Sequence, residues 1–458
     1  MNTLPVKTPV DGGRVENNSG LGLYETGKAS LVAHAACARL DSSSEPLVIY
    51  EQDASLARDE NVIVTVKTTL QRYKNHRQEE QQQRPRSDVF GRERARHYVY
   101  GLVAAFPLSH DRIDWSLTLS DWAFSALEPY VVDVFGDTMA LSGGNYLGLI
   151  NLNTGEETPC RHPWLSQAHS VQFSADGKRV LAASTGFDVV LEFHTKSGKV
   201  SWEWFAWDHG FDRSMLGHYV VRDHERKDAL DAIGKKVMLV DDPAMFEFGI
   251  ATRLIPAHLN SARYDKDGRI LVSMFHQGTG LIIDRVTGEV NEIVSGLVNP
   301  HKLAGRRRGG YFISDTRRGH LVLLDESYRR VKTIALPGLP GLERSPILSE
   351  FLQNTTELKE DLFACVDIHR NSIWLVDVKR RKYRGIKFPK EWSVHDIASV
   401  DPQCLARIGR LIGTVFGKVE ACAMEKGKLI RHFSPDGREV ATLNLDAKGR
   451  AIGLDVEM

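Results

Sequence analysis

Repeated blocks of four short apolar segments constrain this sequence more than any other feature. The clearest block covers residues 255–294, IPAHLNSARYDKDGRILVSMFHQGTGLIIDRVTGEVNEIV, and reverses at DKDG and at a TG turn. Apolar residues that alternate with period two between such turns indicate an antiparallel sheet of four strands. A lone sheet of this size has two open edges, so we expect neighbouring copies elsewhere in the chain.

Further blocks fit the same pattern, and most of them open at a histidine. They start at Pro129, His169, His301, about Ile347 and His395. His258 and His301 are 43 residues apart, and His301 and His395 are 94 apart, close to two blocks of 47. A fixed period with matched turns is typical of a β-propeller rather than a β-sandwich. The sequence therefore predicts an all-β fold, a six-bladed β-propeller.

Two stretches depart from the repeat. Residues 1–125 are expected to form a small β-rich N-terminal region with a polar, charged arm, followed by the propeller over residues 126–458. An insertion of mixed character, residues 206–254, separates the second block from the third. Its ends lie on the face where the blocks begin, so we expect a lid or pocket wall. Whether NVIVTVKTTL or HYVYGLVAAF supplies a strand that closes the propeller is left open.

Composition excludes several classes of partner. Lys+Arg and Asp+Glu each total 59, so no net charge attracts nucleic acid or an anionic membrane. No run of about eighteen apolar residues occurs, and the N-terminal segment lacks the apolar core of a signal peptide. Five scattered cysteines without a CxxC pair argue against a disulfide framework. We expect a cytoplasmic protein that acts on a small molecule, with the oligomeric state left open.

Propeller geometry brings distant residues to one mouth of the axis. The innermost strand of each blade lines the axis, and successive strands alternate in direction. The start of the first strand and the turn between the second and third strands therefore open on the same face. Histidines, an arginine and other polar groups occupy these positions in several blocks. The residues predicted to line the mouth are His169, His258, His276, His301, Arg317, His369 and His395.

Three functions fit such a mouth. His169, His258, His301 and His395 could hold one transition-metal ion, Fe, Cu, Ni or Zn, with open positions for substrate. Alternatively, one histidine could carry a group transiently while Arg317 and the other histidines clamp an anionic or aromatic substrate, with no cofactor. A non-catalytic propeller that binds a protein, sugar or RNA, as NHL-type propellers do, is the third.

The HLNS segment at 258–261, with YDKDGRILVS and IDRVTGEV after it, resembles the arylsulfotransferase-type six-bladed propellers. HSVQFSADGKRVLAAS followed by GKVSWEW fits the same pattern, and the resemblance is clearest over residues 160–335. It implies sulfuryl transfer from one phenolic ester to another through a histidine intermediate. It further implies that His301 is the nucleophile and that His169, His258 and Asn260 bind the anion. Where the family has an arginine after its strand-B serine pair, this chain reads Ser-Met-Phe-His at 273–276.

Overall fold

A computed structural model describes most of the chain. The described residues are 44–67, 100–113, 122–246, 249–339, 351–389, 391–425, 427–446 and 451–456. All of them belong to one compact unit, Ser42–Met458. The α-helices within these ranges are α1 (His224–Ala232) and α2 (Pro402–Leu411), and neither is long and apolar enough to cross a membrane.

Strands make up most of the described chain. Five strands precede the repeated blocks: β1 (Ser44–Pro46), β2 (Glu51–Gln52), β3 (Asn61–Val66), β4 (Tyr100–Pro107) and β5 (Ala123–Leu127). The predicted charged arm and the predicted start of the fifth block at Ile347 lie outside the described residues.

Five antiparallel blades follow, each built from four consecutive strands. Blade 1 is β6 (Pro129–Phe135), β7 (Thr138–Gly143), β8 (Tyr146–Asn151) and β9 (Glu157–Cys160). Blade 2 is β10 (Ala168–Phe173), β11 (Arg179–Ser184), β12 (Val189–His194) and β13 (Val200–Phe205). After the insertion, with β14 (Tyr219–Val221) and β15 (Val237–Leu239), blade 3 is β16 (Leu259–Tyr264), β17 (Ile270–Met274), β18 (Thr279–Ile283) and β19 (Val290–Val294).

The last two of these blades carry an extra outer strand each. Blade 4 is β20 (His301–Gly305), β21 (Tyr311–Asp315), β22 (His320–Leu324) and β23 (Arg330–Ala335). Blade 5 is β24 (Leu352–Lys359), β25 (Leu362–Asp367), β26 (Ser372–Asp377) and β27 (Lys382–Lys387). β1 pairs in parallel with β23, and β2 pairs in parallel with β27.

The DKDG turn that the sequence predicted is stabilised by an aspartate side chain and a glycine with positive φ. In the first hairpin of blade 3, Asp265 Oδ1 accepts hydrogen bonds from the backbone N–H groups of Asp267 at 2.8 Å and Arg269 at 2.9 Å. Gly268 has φ +79°, a conformation that a residue with a side chain rarely adopts. The DKDG sequence thus reverses the chain through an Asp cap and a left-handed glycine.

The last part of the chain forms a composite sheet rather than a blade of its own. It contains β28 (Val394–Val400), β29 (Gly417–Met424), β30 (Gly427–Phe433), β31 (Glu439–Asp446) and β32 (Ala451–Val456). The strand order is β28-β3-β4-β5-β29-β30-β31-β32, and β3 pairs with β28 antiparallel. The block predicted from His395 therefore does not supply all of its own strands: β3, from the NVIVTVKTTL segment, pairs with β28, and β4, from HYVYGLVAAF, pairs with β3, which answers the question that the sequence left open. Strands on both sides of the predicted boundary at residue 125 share this sheet.

The innermost strands meet around a common axis. β6, β10, β16, β20, β24 and β28 contact one another in this order, and β28 contacts β6 in turn. Apolar side chains fill the space between each pair of facing sheets; one such cluster joins Ile63 of β3 to Val132 of β6 and Ala398 of β28. The predicted all-β propeller is confirmed, with five blades of consecutive strands, of which the first four start where the blocks predicted them.

The pairing of β3 with β28 makes a prediction about stability. Ile63 is fully buried, so Ile63→Ala should lower the free energy of unfolding of the whole unit by about 2–5 kcal/mol, the usual cost of a cavity of this size. Ile49, with 57% of its surface exposed, supplies the matched control, and Ile49→Ala should change stability by less than about 0.5 kcal/mol. Denaturant unfolding followed by tryptophan fluorescence measures both. Equal midpoints for Ile63→Ala and the unsubstituted protein would contradict the shared sheet.

Candidate functional site

Aromatic and imidazole rings from different innermost strands lie next to one another at one mouth of the axis. The centroid of the His169 ring is 5.5 Å from that of His258 and 5.4 Å from that of His395. Tyr130 joins the same group, with ring centroids 5.6 Å from His169 and 5.4 Å from His395. These four residues come from blades 1, 2 and 3 and from β28, so the predicted convergence of block-start residues is observed for them.

Phe275 extends this group to His301. The Phe275 ring lies 4.7 Å from His258 and 5.6 Å from His301, between centroids. His276, the next residue, places its ring 5.3 Å from His258. The four histidines predicted from the block starts therefore belong to one continuous set of ring contacts, in which Phe275 joins His301 to His258.

Both ring nitrogens of His301 have defined partners. Nδ1 lies 2.8 Å from the Thr316 hydroxyl and 3.3 Å from the Asn299 carbonyl oxygen. Nε2 lies 3.2 Å from Asn260 Nδ2 and 3.2 Å from Gln353 Nε2. A carbonyl oxygen only accepts hydrogen bonds and an amide N–H only donates them, so the proton sits on Nδ1 and the Nε2 lone pair faces the two amides.

The orientation of the Asn260 amide has independent support. The same Nδ2 lies 3.4 Å from the carbonyl oxygen of Pro300, which can only accept a hydrogen bond. The side-chain oxygens of Asn260 and Gln353 are buried without a hydrogen-bond partner among the described residues. Each of these oxygens therefore retains the capacity to accept a hydrogen bond from a ligand.

Backbone carbonyls hold His169 and His395 in the same tautomer. His169 Nδ1 donates to the Gln167 carbonyl at 2.7 Å, and His395 Nδ1 donates to the Tyr130 carbonyl at 2.7 Å. Gln167 has φ +50°, and Asn299, which lies two residues before His301, has φ +54°. At His169 and His301 this left-handed backbone turns a carbonyl toward the imidazole, so the local fold of the strand entry determines which ring nitrogen carries the proton.

A buried carboxylate fixes the backbone around His258. Asp188 accepts hydrogen bonds from the backbone N–H groups of Ala257 at 2.8 Å and Leu259 at 2.9 Å, and from the Trp207 indole at 3.2 Å. Burial raises the pKa of Asp188 to about 7, and these hydrogen bonds act against that rise. Asp188 thus holds the chain on both sides of His258 from the neighbouring blade.

His276 is also held by a backbone carbonyl, and its ring is neutral at ordinary pH. Its Nδ1 donates to the Ile255 carbonyl at 2.9 Å. Burial lowers the pKa of His276 to about 4, because an imidazolium would lose its hydration at this position. His276 therefore offers an uncharged ring beside His258 rather than a positive charge for an anion.

Two further predicted residues, Arg317 and His369, lie on turns at this face. Arg317 follows Thr316 on the turn after β21, and its Nε is buried without a hydrogen-bond partner among the described residues. His369 stacks on Phe351, with ring centroids 4.5 Å apart, two residues before Gln353. Arg318, also on the turn after β21, pairs with Asp315 at 2.8 Å.

Sequence reasoning missed four residues that contact the site: Tyr130, Phe275, Thr316 and Gln353. Two of them were within reach of the same argument, because Tyr130 and Gln353 stand at the starts of innermost strands in blades that lack a histidine there. Thr316 and Phe275 lie in turns after second strands, positions that the geometry already assigned to this face.

The side-chain arrangement gives the metal-ion alternative no support, and that alternative stays a prediction. Within the described ranges, no three His, Cys, Asp or Glu side chains lie close enough together to hold one metal ion. The Nε2 atom of His301 also lies against two amide N–H groups. This nitrogen therefore accepts hydrogen bonds and does not share a ligand position with the other histidines. We therefore assign no step to a metal.

The insertion packs beside the site from blade 2. The Ile250 N–H donates to the Gly186 carbonyl at 3.1 Å, and Gly186 lies in the turn between β11 and β12, which opens on the mouth face. Gly249, with φ +74°, allows this approach, because a Cβ there would lie 2.6 Å from the Gly186 backbone. Whether the rest of residues 206–254 covers the mouth stays a prediction.

No protein-family model matches the sequence, and no curated protein matches it. Among solved structures, virginiamycin B lyase from Staphylococcus aureus is 12% identical with a TM-score of 0.37, covering 72% of this chain and 84% of that chain. A protein of unknown function from Bacteroides caccae is 12% identical with a TM-score of 0.45, covering 75% and 99%. The dihydro-heme d1 dehydrogenase NirN is 10% identical with a TM-score of 0.34, covering 92% and 66%. Similarity this low carries no argument about function.

The buried His276 predicts a pH dependence of stability. Between about pH 6.5 and pH 4 the unfolded chain binds a proton at residue 276 that the folded chain does not, so this residue lowers stability as the pH falls through that range. His276→Gln should remove the effect and make the loss of stability between pH 7 and pH 4 smaller by about 3 kcal/mol.

His224, with its side chain 72% exposed, is the control, and His224→Gln should keep the original dependence of stability on pH. Denaturant unfolding at several pH values tests this, and identical slopes for His276→Gln and the unsubstituted protein would refute it.

Proposed function

We propose that this protein is a group-transfer enzyme that moves an anionic group, most simply sulfuryl, from an aryl ester to a second hydroxyl compound through His301. One observation carries the proposal. The Nε2 lone pair of His301 faces two side-chain amide N–H groups at 3.2 Å, while Nδ1 is held by Thr316 and Asn299. The imidazole is thus fixed in the tautomer that a nitrogen nucleophile needs.

The chemistry follows from the position of the two amides. When Nε2 attacks the sulfur of an aryl sulfate, an N–S bond forms, the S–O bond to the aryl oxygen breaks, and the aryl oxide leaves with the electron pair. Oxygens of the transferred group would then occupy positions near Asn260 and Gln353, whose N–H groups can donate to them. The distance of 3.2 Å between each amide nitrogen and Nε2 is at the long end of the hydrogen-bond range. Little hydrogen-bond energy is therefore lost when these N–H groups donate to the anion instead.

The second half of the reaction uses an acceptor hydroxyl. Its oxygen attacks the sulfur, the N–S bond breaks, and the electron pair returns to Nε2 while the hydroxyl proton passes to a neighbouring base. His258 and His169 lie along the same set of ring contacts and are the candidates for that base. The free oxygens of Asn260 and Gln353 can accept a hydrogen bond from the incoming hydroxyl.

The rings at the mouth support an aromatic substrate. Phe275 lies between His258 and His301, next to the proposed nucleophile, and Tyr130 lies between His169 and His395. Aryl groups pack edge-to-face or offset on such rings. Arg317, on the turn beside Thr316, is the candidate for binding the negative charge of the substrate.

We also infer that β28, β3, β4 and β5 act as a sixth blade. Support comes from the closed succession of innermost strands and from the apolar cluster that joins these strands to blade 1. In that arrangement His395 enters the mouth from a blade that is assembled from both ends of the chain. The catalytic mouth would then depend on the closure of the propeller.

Replacement of His301 tests the proposed activity. With 4-nitrophenyl sulfate as donor and phenol as acceptor, His301→Ala should reduce the transfer rate by on the order of 10³-fold or more, because the group has no carrier. His224→Ala is the matched control, since its ring is exposed on α1, and it should keep full activity. Transfer that survives in His301→Ala would refute the role of His301, and no transfer from any aryl ester to any acceptor by the unsubstituted protein would refute the function.

A further inference from the structure

A set of buried charged side chains lies on the axis beyond the histidines. Lys302 follows His301, and Asp396 follows His395; their side chains are 5% and 1% exposed, with Nζ and Oδ1 3.6 Å apart. Arg263 on β16 is 7% exposed. Its charge acts on Lys302 of blade 4 and on Asp133 of blade 1. The axis is the place where blades 1, 3 and 4 all come close to one another. Asp133, Arg263 and Lys302 therefore face a common space at the axis.

The negative groups of this set have donors. Asp396 accepts hydrogen bonds from Asn354 Nδ2 at 2.6 Å and from the Val132 N–H at 3.1 Å. Asp133 accepts one from the Phe173 N–H at 3.0 Å. Backbone and amide donors therefore compensate much of the cost of burying the two carboxylates.

The positive groups are less well matched. Within the described residues, the buried Nε of Arg263 has no hydrogen-bond partner. Lys302 Nζ donates to the Ile397 carbonyl at 3.2 Å. Burial lowers the pKa of Lys302 to about 8, and the next largest cause is repulsion by the charge of Arg263. Asp396 and Asp133 balance the formal charges of the two cations, but neither carboxylate accepts a hydrogen bond from Arg263 Nε, so this buried donor calls for an acceptor.

We propose that a small monovalent anion of the chloride class binds on the axis between the guanidinium of Arg263 and the ammonium of Lys302. The anion would accept hydrogen bonds from Arg263 Nε and Lys302 Nζ and would hold blades 3 and 4 together at the axis. This structural site is separate from the transfer chemistry, because neither cation contacts His301 Nε2 through a hydrogen bond, and it stands whether or not His301 carries a group.

Thermal unfolding of the full chain in sodium chloride and in sodium gluconate, at equal ionic strength, tests the site. Tm should rise with chloride by about 1–3 °C for each tenfold increase in concentration, because an anion that binds only the folded state stabilises it. Arg263→Gln should abolish this dependence. Arg329→Gln, on a side chain that is 79% exposed, should keep it, and so should Arg317→Gln at the mouth.

Three results would overturn the site. Equal Tm values in chloride and gluconate would indicate that water alone bridges Arg263 to its neighbours, and loss of the dependence in Arg317→Gln instead of Arg263→Gln would place the anion at the mouth. If Arg263→Gln does not fold, a crystal of the unsubstituted protein soaked in sodium bromide decides the question. The anomalous signal should contain a peak in direct contact with both Arg263 and Lys302, and the absence of that peak contradicts the proposal.

Discussion

A hydrogen bond from imidazole Nδ1 to a backbone carbonyl is the interaction on which the mouth of this propeller depends. His169 and His395 make it at 2.7 Å, and His301 has a weaker version at 3.3 Å that the Thr316 hydroxyl reinforces. Because a carbonyl cannot donate, each bond places the proton on Nδ1 and leaves Nε2 as the acceptor nitrogen. For His169 and His301 the orientation is a property of the strand entry, where a left-handed residue turns its carbonyl toward the ring, whereas His395 uses the Tyr130 carbonyl of blade 1.

His301 combines this bond with donors at the second nitrogen. Two amides from the blades on either side converge on its Nε2, one from β16 and one from β24. Asp188 acts on His301 indirectly. It fixes the backbone on both sides of His258, and thereby positions the start of β16, the strand that carries Asn260. Three blades must therefore be in register before His301 has its partners, which makes the rigidity of the propeller part of the chemistry.

The sequence predicted the blades and the histidines because both signals are local. Period-two alternation, Asp-Gly turns and a histidine at each block start are readable without knowledge of the fold. Gln353 lacks the histidine signal, since the fifth block begins with apolar and amide residues, so only its position at the start of an innermost strand could have identified it. The pairing of β3 with β28 was also beyond a local argument: NVIVTV predicts a strand, but alternation does not identify a partner that lies about 330 residues away. The blades formed by consecutive hairpins were predictable, and the unit that joins the two ends of the chain was not.

The central claim, that His301 carries the transferred group, is tested most directly by trapping that state. The full chain is incubated with 4-nitrophenyl sulfate without an acceptor, and its intact mass and peptides are measured at neutral pH. The account predicts one added sulfuryl group per chain, on the peptide that contains His301, which disappears when phenol is added. An unmodified chain in a preparation that transfers sulfuryl groups, or a modification at a residue other than His301, would contradict it.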